Sequence, residues 1–508
     1  MKTIIKSALL TLVVFSAIVT SAQSNKNIRT LIVFFDGLRP DYITPEAMPN
    51  VYSFSKEGCH GTQHHSVFPT VTRVNASSYS SGSYPGTNGL MGNTVYFPIV
   101  DKKKGLNTGE YTELNKITEA THGHLLTAVS LGEALQKAGA KMMVFSSGST
   151  GQAFMQNHAL SGGAIVNPGL ILPDSFRETV INEIGPIPAK IKPNTPQHIW
   201  VTDALLKYGL TLDGPLVSAI WFSDPDGTAH SDGIGVPSSM ESIKSVDAQF
   251  GRIVSYLKSK NLIENFNIII STDHGFVTNV GKKGITEFLI EQGLKQDKES
   301  EDVIVAEGAI YVKDHDITVM KKIVSALQAQ EWIGAIFTKA KNAGDVKGIV
   351  EGTLSFETIH WNHPERSSDI LVDENWDDRK NEMGYAGTSF SRGVAGHGGL
   401  SPYEVHIALL ASGPSFKKGL TSEIPTSNVD IAPTILAIHD IAIPSTMKGR
   451  VMLELLAATK AGKKLKLKKE TLTTSAEFEG GKYTLTLERS VLGDYQYVDF
   501  AKVTRIKR

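Results

Sequence analysis

Apolar positions along the chain gather into short runs separated by longer amphipathic stretches. Leu31–Phe35, Met142–Phe145, Leu216–Phe222, Ile268–Ile270 and Val405–Ala411 are nearly unbroken and rich in β-branched and aromatic residues. Runs of that length without polar alternation predict strands buried on both faces. Between several of them the period changes to three and four. In Glu241–Lys260 the residues Ile243, Val246, Phe250, Ile253, Val254 and Leu257 share one stripe, which predicts a helix with Ser238 or Ser239 as its N-cap. The alternation predicts an α/β fold with a central, mostly parallel sheet covered by helices.

From Thr278 to Ser391 the pattern breaks up. Short strands such as Gly308–Val312, a helix near Val319–Gln328 and charged turns including Asp373–Lys380 predict an inserted α+β cap subdomain over residues 278–391. The core then comprises residues 23–277 and 392–460. Residues 461–508 are expected to form C-terminal strands, with Gly480-Gly481 between two alternating segments. The basic stretch Lys460–Lys469 is too short to read as a binding tail.

Residues 1–22 stand apart. Lys2 and Lys6 precede the apolar run Ala8–Val19, and Thr20-Ser21-Ala22 offers a small-residue cleavage site. The run is shorter than the ~18 residues a spanning helix needs, so a cleaved export signal is expected rather than stable membrane insertion. Without that segment the formal charge moves from −1 to about −3, which gives no footprint for a nucleic-acid duplex. Cys59 is the only cysteine, so no intramolecular disulfide is available. Export without disulfides suits a periplasmic or secreted protein.

Chemistry concentrates at the ends of the predicted strands. Asp36 follows the first run, Asp226 and His230 follow the third, and Asp273-His274 follow the fourth, while His397 precedes the last. A lone Asp-His pair is often a surface feature. Four such elements at four strand ends point instead to metal ligands converging on one edge of a sheet. Three carboxylates and three imidazoles suffice for two zinc-type sites with open positions. The segment Phe68–Asn93 adds hydroxyls ahead of a helix-compatible stretch. A threonine oxygen activated by a metal would be a nucleophile at neutral pH, and a helix starting there would direct free N–H groups at an anion.

The motifs together resemble the alkaline phosphatase superfamily, and within it the type I phosphodiesterase/nucleotide pyrophosphatase family. FFDGLRPDYI resembles the opening strand and first ligand. Thr72, Asn75, Gly82, Tyr84-Pro85, Gly89 and Asn93 keep the spacing of the nucleophile helix. DPDGTAH, STDHGF and GHGG resemble the remaining ligand motifs, with Asp224 and Ala229 departing from the usual residues. VDIAPTILAI and PSTMKGR resemble the closing segment.

The resemblance implies an alkaline-phosphatase-like sandwich and two divalent ions, taken as zinc. One would be held by Asp226, His230 and His397, the other by Asp36, Asp273, His274 and the Thr72 oxygen. Thr72 becomes the nucleophile rather than Thr70, from its offset to Asn93. The Asn93 amide and the Arg73 backbone N–H would bind a phosphoryl oxygen, and the Arg73 side chain a second anion. Two divalent ions, three carboxylates and a deprotonated Thr72 sum to neutral, which suits a monoanionic diester.

The implied activity is hydrolysis of a small phosphate ester or anhydride through a threonine phosphoryl-enzyme intermediate. A phosphomonoesterase or phosphonate hydrolase with the same site is the alternative, and a non-catalytic binding protein a remote one. Phe145–His158 lacks the Lys and Arg that single-domain monoesterases place there, while Arg73-Val74 replaces the Phe-Pro usual in diesterases. Nothing in the sequence fixes an oligomeric state.

Overall fold

The computed structural model describes residues 28–458 and 466–507. The expected export signal at 1–22 and most of the basic stretch Lys460–Lys469 lie outside the described residues. Among those residues no helix is long and apolar enough to cross a membrane.

The large sheet contains β1 (Arg29–Phe35), β2 (Cys59–His65), β3 (Met142–Ser146), β4 (Ala164–Asn167), β5 (Leu170–Leu172), β6 (Val217–Phe222), β7 (Phe266–Ser271), β8 (His406–Ser412) and β9 (Leu420–Ser422). Their order across the sheet is β9-β2-β8-β7-β1-β6-β3-β4-β5, and the short strand Thr426–Ser427 also pairs with β2. β1 lies parallel to β6 and β7, and β3 parallel to β6 and β4. β8 runs antiparallel to both its neighbours, β7 and β2, so the sheet is mixed.

Alternation along β1 explains the sandwich. Leu31, Val33 and Phe35 face one core, packed with Ile243, Val246, Phe250, Ile253 and Leu257 of the helix Pro237–Ser259. Ile32 and Phe34 face the other, where Ala76 and Tyr79 come from the helix Thr72–Ser81. Burying such side chains contributes about 1.5–3 kcal/mol each, which is why these apolar runs sit at the centre of the sheet.

The helix expected from Glu241 starts earlier, with Pro237 in its first turn and Val236 as N-cap. Proline suits that place because its missing N–H would be unpaired there anyway. Ser238 and Ser239 donate to Asp232 and to the Gly233 carbonyl instead of capping. β2 was not expected, because Cys59–His65 is polar. It forms because His64 Nδ1 meets Thr426 Oγ1 and His65 Nδ1 meets the Thr426 carbonyl inside the fold.

Residues 278–391 contribute to two further sheets. One has the order Val303–Ala306, Ala309–Val312, Ile370–Glu374, Ile333–Thr338, Leu354–Ser355. It packs on the helix Ile317–Gln328, which Asp316 caps. The charged turn expected at Asp373–Lys380 is instead the end of Ile370–Glu374 followed by a strand, Trp376–Lys380. Asp373 is buried there because its carboxylate accepts from the Leu400 N–H, and burial together with Glu404 and Glu374 raises its pKa well above the usual range. Leu467–Phe478, Gly481–Leu492 and Tyr495–Lys507 form an antiparallel sheet.

His360 and His363 tie this region to the core. His360 stacks on Tyr84 with ring centroids 4.1 Å apart and bonds the Gln496 carbonyl, while His363 pairs with Thr127 Oγ1. Burial, aided by Arg489 and Arg366 respectively, holds each down to about 4. At pH between 4 and ~6.5 the unfolded chain takes up protons that the folded chain refuses, so stability is fullest above ~6.5 and falls as pH drops. Each histidine should cost about 1.4 kcal/mol per pH unit in that window. Melting temperature against pH checks this, and His363→Gln should flatten the slope.

Candidate active site

The register of the central strands places the chemistry. Phe35 lies opposite Phe222, and Phe34 opposite Ser271, so β1, β6 and β7 end at one level. Asp36 leaves β1 directly, Asp226 opens the helix Asp226–Asp232 just beyond β6, and Asp273-His274 follow β7. Because β8 runs the opposite way, the segment preceding it reaches the same edge and carries His397 there.

These six side chains form two groups. Asp226 Oδ1 lies 3.2 Å from His230 Nε2 and 3.3 Å from His397 Nε2. His274 Nε2 lies 2.9 Å from Asp273 Oδ2, 3.6 Å from Asp36 Oδ1 and 3.3 Å from Thr72 Oγ1. The His274 and His397 rings stack with centroids 3.4 Å apart, which joins the groups.

The residues fit divalent cations. Asp36 Oδ1, Asp226 Oδ1 and Asp273 Oδ2 are all buried without a hydrogen-bond partner, an arrangement that costs a few kcal/mol unless a cation takes up those lone pairs. Nitrogen–oxygen separations near 3.3 Å are the edges of a tetrahedron with metal bonds of ~2.0–2.2 Å. Each imidazole is set for ligation, with Nδ1 of His230, His274 and His397 donating to the carbonyls of Ala395, Gly275 and Thr70. Charge crowding points the same way. Burial and then the Asp273 and Asp226 charges push Asp36 well up. Burial opposes ionisation of Asp226 too, but His230 and His397 outweigh it and hold that carboxyl well down.

Several residues support the site through contacts that the sequence does not announce. Trp221 Nε1 donates to Asp36 Oδ2 at 2.9 Å, and the Gly37 N–H donates to Asp273 Oδ1 at 3.0 Å. Thr70 Oγ1 donates to the Gly399 carbonyl, and the Thr70 carbonyl receives His397, so Thr70 positions that imidazole. Asn75 accepts from the Val67 N–H and donates to the carbonyls of Val67 and Val71, which fixes the loop entering Thr72. Asn75 and Gly37 stand in the motifs quoted above, but the roles of Trp221, Gly37 and Thr70 depend on partners distant in sequence.

Thr72 stands at the first position of its helix, after N-cap Val71, and is 5 % exposed. That helix is polar yet buried, because Ser77 and Ser81 return their hydroxyls to carbonyls within it. One expectation is revised here. The Arg73 N–H is taken by Asn93 Oδ1 at 3.0 Å, which leaves the Asn93 Nδ2 group as the donor for an anion. The Asn93 N–H in turn donates to Glu307 at 3.1 Å.

The Arg73 guanidinium and Ser149, in the loop after β3, both lie near Gly109. A Cβ placed on Gly109 would lie 3.6 Å from the Arg73 guanidinium carbon and 3.6 Å from Ser149 Oγ. Arg73 Nε is buried without a hydrogen-bond partner. A cavity of about 530 Å³ opens over the site and is lined by Asn93, His230 and His397 from one side and Glu307, Tyr311 and Glu374 from the other.

The profile of the family described as type I phosphodiesterase/nucleotide pyrophosphatase matches residues 30–382. The bis(5'-adenosyl)-triphosphatase ENPP4 of Mus musculus is 23% identical over 437 residues, covering 85% of this chain and 82% of that protein. The human ectonucleotide pyrophosphatase/phosphodiesterase family member 5 is 22% identical over 416 residues, covering 81% and 74%. Among solved structures, an inactive variant of the murine family member 5 in complex with AMP superposes with a TM-score of 0.59 at 19% identity, covering 85% of this chain and all of that one. That likeness shows the alkaline-phosphatase-like fold.

Proposed function

The chain belongs to the type I phosphodiesterase/nucleotide pyrophosphatase family, and from that premise we propose that it is an exported two-metal enzyme working through a Thr72 phosphoryl-enzyme intermediate. Its class is that of hydrolases acting on phosphodiester or pyrophosphate bonds. The observation that carries the finer reading is the placement of Thr72 Oγ1 3.3 Å from His274 Nε2, beside three buried carboxylate oxygens with no partner.

Asp36, Asp273, His274 and the Thr72 oxygen would hold one ion, and Asp226, His230 and His397 the other. Bound there, two divalent ions of the zinc class would supply Lewis acidity, lowering the pKa of the Thr72 hydroxyl and offsetting phosphoryl charge. Thr72 Oγ attacks phosphorus and the leaving oxygen departs with its electron pair. Water then cleaves the Thr72–phosphate ester and restores the hydroxyl. Asn93 Nδ2 donates to a nonbridging oxygen, where a fixed donor contributes ~3 kcal/mol to the transition state. Export is supported by the charge and hydropathy pattern of residues 1–22.

The substrate class is expected to be a diester or a pyrophosphate. In the latter the Arg73 guanidinium receives the phosphate that is not attacked, since its buried Nε lacks a partner. One observation favours a second reading. Arg73 and Ser149 both approach Gly109, which brings a cation toward the region where monoesterases of the superfamily place one to meet a dianionic monoester.

Rates on bis-p-nitrophenyl phosphate, p-nitrophenyl phosphate, an aryl phosphonate and a nucleoside triphosphate separate these readings. The diester is expected to exceed the monoester in kcat/KM. Arg73→Ala should cost the triphosphate at least about 10-fold more than the aryl diester, as lost remote binding does. A wild-type preference for the monoester overturns the diester reading. An equal Arg73→Ala penalty on all substrates removes the second-phosphate role.

A further inference from the structure

A second set of buried ligand-type side chains lies away from Thr72. His65 ends β2 and His406 opens β8, and the two sit opposite each other in the ladder. Asp499 reaches them from the strand Tyr495–Lys507 of the C-terminal sheet. One ligand atom from each lies within 4.8 Å of the others. His65 and Asp499 are 1% and 3% exposed, so their polar atoms are committed to whatever occupies this point.

The hydrogen bonding fixes how His65 is presented. Its Nδ1 lies 2.9 Å from the Thr426 carbonyl, which can only accept, so Nδ1 carries the proton and Nε2 faces Asp499 Oδ1 at 3.0 Å. His230, His274 and His397 are held in the same way, with a backbone carbonyl on Nδ1 and a carboxylate before Nε2. A carbonyl that fixes one ring nitrogen so that the other offers its lone pair is the usual outer support of a metal-binding histidine. Asp499 is supported as well, accepting from Ser490 Oγ at 3.0 Å.

We propose that His65, His406 and Asp499 form a third divalent-cation site, of the zinc class, that ties the C-terminal sheet to β2 and β8. Two imidazoles and one carboxylate suit a borderline transition ion, with water completing the shell. The competing cation is Lys469, whose Nζ lies 3.1 Å from Asp499 Oδ2. Its side chain is 60% exposed, so the ammonium moves into solvent when an ion enters.

The test is metal content after stripping with chelator and dialysis against zinc. His406→Ala and Asp499→Asn should each bind one ion fewer per chain than wild type, with turnover within about 2-fold, while Lys469→Met should bind zinc at this site more tightly. The difference of one ion is independent of how many the Thr72 site holds. Anomalous density at the zinc edge in wild-type crystals provides a second reading that needs no variant, and a peak bonded to His65 Nε2 supports the proposal. No peak there overturns it, as does unchanged zinc content in folded Asp499→Asn; the cluster is then a buried His65–Asp499 ion pair.

Discussion

Thr72→Ala is expected to lower turnover by about 10³-fold or more while leaving bound metal close to the wild-type level. The substitution removes one oxygen, 3.3 Å from His274 Nε2, and leaves all six carboxylate and imidazole groups in place. It should not unfold the helix, because alanine is a good helix former and the loop before it is held by Asn75. Thr70→Ala is the matched control. Its hydroxyl only meets the Gly399 carbonyl and the Gly398 N–H, and the carbonyl that orients His397 survives the change, so its loss should be far smaller. Kinetics with metal analysis of both variants decides the matter. An active Thr72→Ala protein beside a dead Thr70→Ala protein would reverse the assignment.

The second large effect is expected from Asp226→Ala, which should remove about one ion per chain and abolish measurable turnover. Asp226 Oδ1 is the oxygen shared by His230 and His397, whereas Asp36, Asp273 and His274 form a separate, fully enclosed set. His397→Ala should therefore empty the same position, and Asp273→Ala the other. Equilibrium dialysis with elemental analysis of the three variants reads this directly. Retention of all metal by Asp226→Ala would take that residue out of the ligand set. Equal loss from every variant would mean that the stack between His274 and His397 couples the two positions into one.

The parts of this molecule legible from sequence are those where one residue type serves one purpose over a short span. The buried runs of β1, β3, β6 and β7 are apolar because both faces are covered, and the Asp and His residues gathered at the sheet edge stand out by following such runs. His397 is legible as a histidine before a strand and from the GHGG motif around it, and the antiparallel direction of β8 explains how a residue ahead of a strand joins residues that follow strands. What stayed hidden is polar structure paid for by distant partners. β2 looks like a loop until Thr426 supplies carbonyl and hydroxyl to its histidines. Asp373 looks like a turn until the Leu400 N–H arrives. Arg73 could be named from its place after Thr72, but its approach to Gly109 and Ser149 depends on how two loops fold together.

The interleaving of the two candidate ligand groups has a consequence for how the protein matures. One group brings Asp36 to Asp273 and His274, the other Asp226 and His230 to His397, so neither is complete until segments far apart in sequence have paired. Closing such long loops is slow, and little is gained until the strands between them are in register. A cation therefore cannot template early folding here, as it does in a small zinc finger whose ligands are neighbours in sequence. It would enter a finished pocket, and imidazole and carboxylate groups accept several divalent ions. If these groups hold ions, the choice of ion would then depend on which one is available when the fold is complete.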